Sequence, residues 1–138
     1  MLRRFLSTVL SLTAVVTPTG SVALTSRQPV HSSRVTFAEP TRVCGHFLIG
    51  DYIIVHDDAR VAGGPCTTFY KLRPGRSPET VLSFYCIPRQ REVVSSTTIT
   101  TVPSPRATPA MRTVDLVEFQ LEGDTEAHGV PPFDVHVK

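Results

Sequence analysis

Short runs of β-branched and aromatic residues, each interrupted by glycine or proline, constrain the fold of this 138-residue chain most strongly. Beyond the N-terminal segment, no window has apolar residues at the 3.6-residue spacing of an amphipathic helix. The runs alternate with polar neighbours or are almost wholly β-branched, as in VVSSTTITTV at 93–102, and both patterns are typical of strands. We therefore predict an all-β fold, a single small antiparallel β-sandwich or barrel of about seven strands.

The N-terminus has the layout of a secretory signal peptide. Arg3 and Arg4 precede an apolar run, and Ser21-Val22-Ala23 supplies the small residues of a cleavage site. The apolar run is too short for a membrane span, so we expect an exported mature chain, periplasmic or extracellular, without a membrane span. The predicted organisation is a signal peptide at 1–23, a flexible leader at 24–33 and a β domain with a proline-rich tail at 34–138.

The charge of the mature chain argues against a nucleic-acid partner. The full chain has 14 basic and 12 acidic residues. Removal of the signal peptide takes away Arg3 and Arg4, which leaves 12 basic against 12 acidic residues and no net charge. Nucleic-acid binding needs a concentrated basic surface, so the partner that we expect is an unidentified protein or glycan.

Turn-forming residues predict where the strands are joined. Gly50-Asp51 separates two apolar runs and predicts a hairpin turn. The segment RPGRSPE predicts the turn of a second hairpin, and three prolines at 103–110 predict a loop. The first predicted β run has Val35 and Phe37 alternating with polar residues before Pro40, and further strands are predicted at 43–49, 52–56, 66–72, 80–87, 93–102 and 113–122.

The pattern VTFAEPTRVCGHFLIGDYIIVHDD resembles the first hairpin of small exported bacterial β-domain proteins. The segments FYKL, VLSFYCIP and FQLEGDTEAHGVP extend the likeness to about residues 34–132. The chain departs from the pattern at Ile49, where the group has a proline before the glycine. The resemblance implies the fold and the exported location, and it implies no activity and no functional residues.

Three cysteines, Cys44, Cys66 and Cys86, lie in a chain expected to mature in an oxidising compartment. If Leu72 pairs with Thr80, the register of the second hairpin places Cys66 opposite Cys86, within reach of a disulfide. We predict this bridge, with Cys44 left as a thiol. The pairs Cys44–Cys66 and Cys44–Cys86, and three reduced thiols, remain alternatives.

Cys44, His46 and His56 form an alternative metal site, with Cys66 as a further candidate ligand. Cys44 and His46 share a strand face, and thiolate with imidazole suits copper or zinc. A turn at Gly50-Asp51 would place His46 and His56 near the same end of the hairpin.

No catalytic residues are predicted. The chain lacks the nucleophile-elbow, zinc-protease, P-loop and dinucleotide-binding motifs. Glu126 and His128 would share a strand face, which we interpret as a surface ion pair rather than an acid–base site. We therefore expect no cofactor and a secreted, non-enzymatic β domain with a binding or structural role in the cell envelope. The alternative is a periplasmic metal-binding module for copper or zinc.

Overall fold

The structure, a computed structural model, describes residues 30–60 and 63–132. The predicted signal peptide, most of the leader and the end of the tail lie outside the described residues. No helix in these two ranges has the length and the apolar character that a membrane crossing requires.

Eight strands and one short 3-10 turn make up the described chain, so the predicted all-β fold class is confirmed. The strands form one mixed sheet in the order β4-β3-β2-β1-β7-β8-β5, with β6 paired to β7, and the sheet curls into a half-barrel. The strands are β1 (Val30–Val43), β2 (His46–Asp57), β3 (Thr67–Lys71), β4 (Glu79–Phe84), β5 (Ile87–Gln90), β6 (Thr98–Pro103), β7 (Val114–Gln120) and β8 (Glu126–Gly129), and the 3-10 turn is Asp58–Arg60.

The first hairpin turns at Cys44-Gly45, so the predicted turn at Gly50-Asp51 is wrong. Val43 pairs with His46, and both residues between them have positive φ, 47° at Cys44 and 83° at Gly45. This is the signature of a two-residue hairpin turn with the right-handed twist of the flanking strands. Gly50 also has positive φ, but it lies inside β2 opposite Phe37, beside a bulge in β1. A left-handed glycine fits a bulge as well as a turn, so the local signal was ambiguous.

The second hairpin, β3 with β4, is present, but its register differs from the prediction. Tyr70 pairs with Thr80, and Thr67 pairs with Phe84, with an irregularity after Phe69. The bulge accommodates one residue that a regular ladder would have paired.

Two short strands and two strand boundaries were not predicted. β5 and β8 pair with each other although the sequence indicated only the end of a strand and a turn-rich tail. β6 begins at Thr98, five residues into the predicted strand, and residues 30–33 of the predicted leader belong to β1. The strand predicted at 113–122 is confirmed as β7.

Two halves of the sheet meet along a short parallel contact. β1 pairs with β7 only at Thr41 with Val114 and at Arg42 with Asp115. The Arg42 guanidinium donates two hydrogen bonds to the Asp115 carboxylate, at 2.9 Å and 2.5 Å. Strands β1–β4 thus form an N-terminal half and β5–β8 a C-terminal half, joined here by an ion pair and little backbone pairing.

An aromatic cluster fills the concave side of the sheet. Phe69 lies at its centre and contacts Phe37, Phe84 and Phe119, with ring centroids 6.4 Å, 5.8 Å and 6.2 Å away. Phe119 in β7 then packs against His128 in β8. The apolar core therefore continues directly into a group of polar side chains.

Candidate metal centre

Four chain segments bring two cysteines and two histidines together at the end of the sheet where β2 and β4 finish and β3 begins. His56 lies in β2, Cys66 immediately precedes β3, Cys86 lies between β4 and β5, and His128 lies in β8. We call these four side chains the Cys/His cluster. Because its members come from both halves of the sheet, the cluster forms a further connection between them.

Cys86 is the centre of the cluster. Its sulfur lies 3.1 Å from the Cys66 sulfur, 3.5 Å from His56 Nε2 and 3.5 Å from His128 Nδ1. Ligand atoms around a tetrahedral zinc ion are roughly 3.3–3.8 Å apart, given metal–ligand bonds of about 2.0–2.3 Å. The two distances from the Cys86 sulfur to the imidazole nitrogens already match that spacing, and the two sulfurs would separate slightly around an ion.

An aspartate faces the outer nitrogen of each imidazole. His56 Nδ1 is 3.2 Å from Asp58, and His128 Nε2 is 3.8 Å from Asp124. Asp124 also contacts His31 Nδ1 at 2.6 Å, which ties it to β1. Histidines that bind metals commonly donate their second N–H to a carboxylate, which orients the ring and raises its basicity. His56 has a carboxylate within reach of its outer nitrogen, whereas His128 Nε2 is buried and makes no hydrogen bond to the described residues. The inner nitrogens of both rings lie 3.5 Å from the Cys86 sulfur.

Strand alternation and ring packing explain why both histidines are buried. In β2 the buried positions Tyr52, Ile54 and His56 follow every second residue, so His56 occupies the inward face. The His128 ring lies 5.0 Å from the Phe119 ring and 3.9 Å from the His56 ring. The side chains of His56 and His128 are only 2% and 1% exposed. Burial in the core removes most of their rotamer freedom and fixes the inner nitrogens.

The cluster is acidic at its rim and open on one side. Glu126 Oε1 lies 3.7 Å from His128 Nδ1, and Asp58 and Asp124 add two further carboxylates. A cavity of about 310 Å³ opens onto Cys66 and Cys86 and is also lined by Tyr85, Pro88 and Glu126. Cys86 is the only partly exposed member of the four, so an ion or a small reagent can reach the sulfurs from this side.

The two thiols titrate as a pair. A hydrogen bond from Cys86 lowers the pKa of Cys66 to about 3, and the contact with His56 acts in the same direction. The same hydrogen bond raises the pKa of Cys86, and burial adds to this increase. The Cys66 thiolate is stabilised by the hydrogen bond from the Cys86 thiol, so the first proton leaves easily, and a second thiolate 3.1 Å away would repel it, so the second proton is retained.

The two imidazoles shift in opposite directions. Burial lowers the pKa of His128 to about 4, and the positive charge of His56 contributes to this shift. Burial also lowers the pKa of His56, but the Cys66 thiolate, Asp58 and Glu126 outweigh it, so that its pKa is raised overall. At neutral pH His128 is therefore a neutral imidazole.

The structure separates the residues of the predicted metal site. Cys44 and His46 lie at the turn between β1 and β2, whereas His56 lies near the opposite end of β2 and pairs with His31. Ten residues of strand correspond to roughly 33 Å. The set Cys44, His46 and His56 is therefore not brought together, because the chain does not turn back at Gly50-Asp51.

The structure does bring Cys66 and Cys86 together, but as free thiols. Their sulfurs are 3.1 Å apart, and no disulfide is formed among the described residues. The predicted register, with Cys66 directly opposite Cys86 in the ladder, is not observed, because the β3–β4 ladder ends at the pair Thr67 and Phe84.

Sequence reasoning missed His128 as a partner of the cysteines. Glu126 and His128 were interpreted as a surface pair, although His128 is buried and directed at Cys86. The usable signal was the short apolar pattern around Ala127 and Val130, which indicates a buried segment in the tail.

Comparisons with protein-family models, with curated proteins and with solved structures found no match for this chain. The resemblance to small exported bacterial β-domain proteins stays a prediction.

Proposed function

We propose that this protein is a metal-binding β domain that holds zinc or copper(I) through Cys66, Cys86, His56 and His128. The observation that carries the proposal is the position of the Cys86 sulfur, which lies 3.1 Å from one thiol and 3.5 Å from each of two imidazole nitrogens. Two thiolates and two imidazoles are a frequent ligand set of structural zinc, and thiolates also suit copper(I).

The surroundings of the cluster support a cation. Asp58 lies 3.2 Å from the outer nitrogen of His56, as in metal sites where a carboxylate orients an imidazole, and Asp124 adds a negative charge 3.8 Å from the outer nitrogen of His128. Glu126 adds a third negative charge beside His128. These carboxylates would offset the charge of a divalent ion, and Asp58 would hold the His56 ring in the orientation that a ligand needs.

A bound ion would connect the two halves of the sheet. Their backbone pairing, between β1 and β7, has only two residue pairs. Metal ligands from β2, from the residues around β3 and β4, and from β8 would close the opposite side of the half-barrel. The proposed role is therefore structural or metal-sequestering and non-enzymatic, in an exported protein. A role in binding a protein or glycan of the cell envelope stays a prediction from the sequence.

Cobalt(II) binding to the reduced, metal-free protein tests the proposal directly. Residues 24–138 would be purified under a non-chelating reductant, and Co²⁺ would be titrated anaerobically. We expect one equivalent to bind with the intense ligand-field bands of a tetrahedral site and a thiolate-to-cobalt charge-transfer band. Zinc should displace the cobalt with the same stoichiometry.

Variants distinguish the Cys/His cluster from the set predicted by sequence. Cys86→Ser should remove most of the charge-transfer intensity, and His128→Gln should weaken Co²⁺ binding. The double variant Cys44→Ser/His46→Asn is the matched control and should bind as the unaltered chain does. Normal binding by Cys86→Ser, or loss of binding only in the control, would refute the proposed site.

A further inference from the structure

Two possible ligand sets overlap at the same position. One consists of His56, Cys66 and Cys86, and the other of His56, Glu126 and His128. Within each set the ligand atoms lie within 4.8 Å of one another. The sets share His56 but differ in chemistry, because the first is rich in soft sulfur ligands and the second contains only nitrogen and oxygen.

We propose that the oxidation state of Cys66 and Cys86 selects the class of metal that the site holds. In the dithiol state the site holds copper(I) or zinc through sulfur. In the disulfide state it holds a harder divalent cation through His56, His128 and Glu126. This inference rests on the proposed function and adds to it a second ligand set and a means of exchange between the two.

The geometry of the thiols makes the oxidation a local event. The sulfurs are 3.1 Å apart, so they need to approach by only about 1 Å to reach a disulfide length of about 2.05 Å. Both lie beside the open cavity next to Tyr85 and Pro88. A small oxidant can therefore reach them without the sheet opening.

The oxidant is a small-molecule disulfide, and the exchange balances. A cysteine thiolate attacks one sulfur of the reagent, which breaks the reagent's S–S bond and releases one thiolate. The second cysteine thiolate attacks the mixed disulfide, forms the Cys66–Cys86 bond and releases the second thiolate. The protein loses two electrons, the reagent gains them, and the metal loses both sulfur ligands.

The remaining ligands form a set of two histidines and one carboxylate. His128 Nδ1 and Glu126 Oε1 are 3.7 Å apart, and the His56 and His128 rings are 3.9 Å apart. Such a set, with coordination positions left for water, suits ferrous iron and neighbouring divalent ions, whereas copper(I) requires softer ligands. Asp58 and Asp124 take no part in the disulfide, so their negative charges remain beside His56 and His128 in either state.

Cobalt(II) titration of three protein forms tests this inference. The forms are the reduced protein, the protein oxidised with glutathione disulfide, and Cys66→Ser/Cys86→Ser, which mimics loss of the sulfur ligands. Mass spectrometry after alkylation confirms that the oxidised form has lost two reactive thiols. We expect the oxidised form and the double variant to bind one Co²⁺ with weak ligand-field bands and without a charge-transfer band. Both should lose measurable copper(I) binding.

Glu126→Gln assigns the second ligand set. We expect this variant to lose Co²⁺ binding in the oxidised form while it retains binding with the charge-transfer band in the reduced form. Glu122→Gln is the matched control, because Glu122 is an exposed carboxylate near the same strand, and it should bind as the unaltered chain in both states.

The outcomes separate the two proposals. Absence of a charge-transfer band in reduced protein would refute the proposed function, whatever the oxidised form does. Normal binding by the reduced protein, with no Co²⁺ bound by the oxidised form, would refute only the second ligand set. Equal binding by oxidised Glu126→Gln and the unaltered protein would also refute it. The oxidised protein keeps the test decisive if the double-serine variant does not fold.

Discussion

Phe119 connects the apolar core to the Cys/His cluster, so its replacement tests the packing and the site together. The side chain is fully buried, packs edge-on against Phe69 at 6.2 Å and lies beside the His128 ring at 5.0 Å. We predict that Phe119→Leu lowers both the stability of the metal-free protein and its affinity for Co²⁺.

The magnitude follows from the contacts that leucine cannot replace. Each aromatic pair contributes about 0.5–1.5 kcal/mol beyond the burial of its area, and Phe119 makes two such pairs, with Phe69 and His128. The smaller side chain also leaves part of the site unfilled, although less than the roughly 3–5 kcal/mol of a change to alanine. We expect a loss of about 2 kcal/mol in the free energy of unfolding, or a Tm lower by about 10 °C for a domain of ~100 residues.

Urea unfolding of the reduced, metal-free protein measures this loss. Phe47→Leu is the matched control, because Phe47 is 60% exposed and the same substitution there should change stability by less than about 0.5 kcal/mol. An unfolding free energy of Phe119→Leu within about 0.5 kcal/mol of the unaltered protein would refute the packing argument. Normal Co²⁺ affinity in a destabilised Phe119→Leu would show that the ring stacking does not position His128.

The remaining predictions concern the metal, β5 and the contact between β1 and β7. Zinc at one hundred times its dissociation constant should stabilise the reduced protein by about 2.7 kcal/mol, or about 13 °C in Tm, and thermal scans of Cys66→Ser/Cys86→Ser should lack that gain. Gly129→Ala should destabilise the protein by about 1–2 kcal/mol, because the new methyl would lie 3.2 Å from a backbone carbonyl of β5. Gly63→Ala is the control: its methyl would meet no atom within 4 Å, so it should leave stability unchanged in the same urea titration. Asp115→Asn should lower stability at neutral pH, because the guanidinium that it faces holds the pKa of Asp115 below its usual range. Stabilisation from a lowered pKa is complete above the pKa of the unfolded state and is lost as pH falls through the pKa of the folded state. The unfolding free energies of Asp115→Asn and of the unaltered protein should therefore converge as the pH is lowered. A difference that stays constant down to the lowest pH would contradict this.

The sequence determined most of the strand content. The β-branched segment around Thr98 and the alternating segment from Val114 predicted β6 and β7, and RPGRSPE predicted the turn between β3 and β4. These predictions succeed because side-chain alternation and turn residues are local properties of the chain. The sequence also marked Cys66 and Cys86 as neighbours, although through a register that the structure does not have.

The tertiary structure alone decided where the first hairpin turns and what surrounds Cys86. Cys44-Gly45 and Gly50-Asp51 both offer a glycine suited to positive φ, and only the pairing of Val35 and Phe37 with β2 selects the first of them as the turn. That choice carries His56 away from His46.

Curvature of the sheet then brings His128, from a short strand near the end of the described chain, to His56 and Cys86. Strand content is a local property because it depends on neighbouring side chains. The Cys/His cluster depends instead on contacts between residues up to 72 positions apart, and such contacts form only when the curled sheet buries its aromatic core.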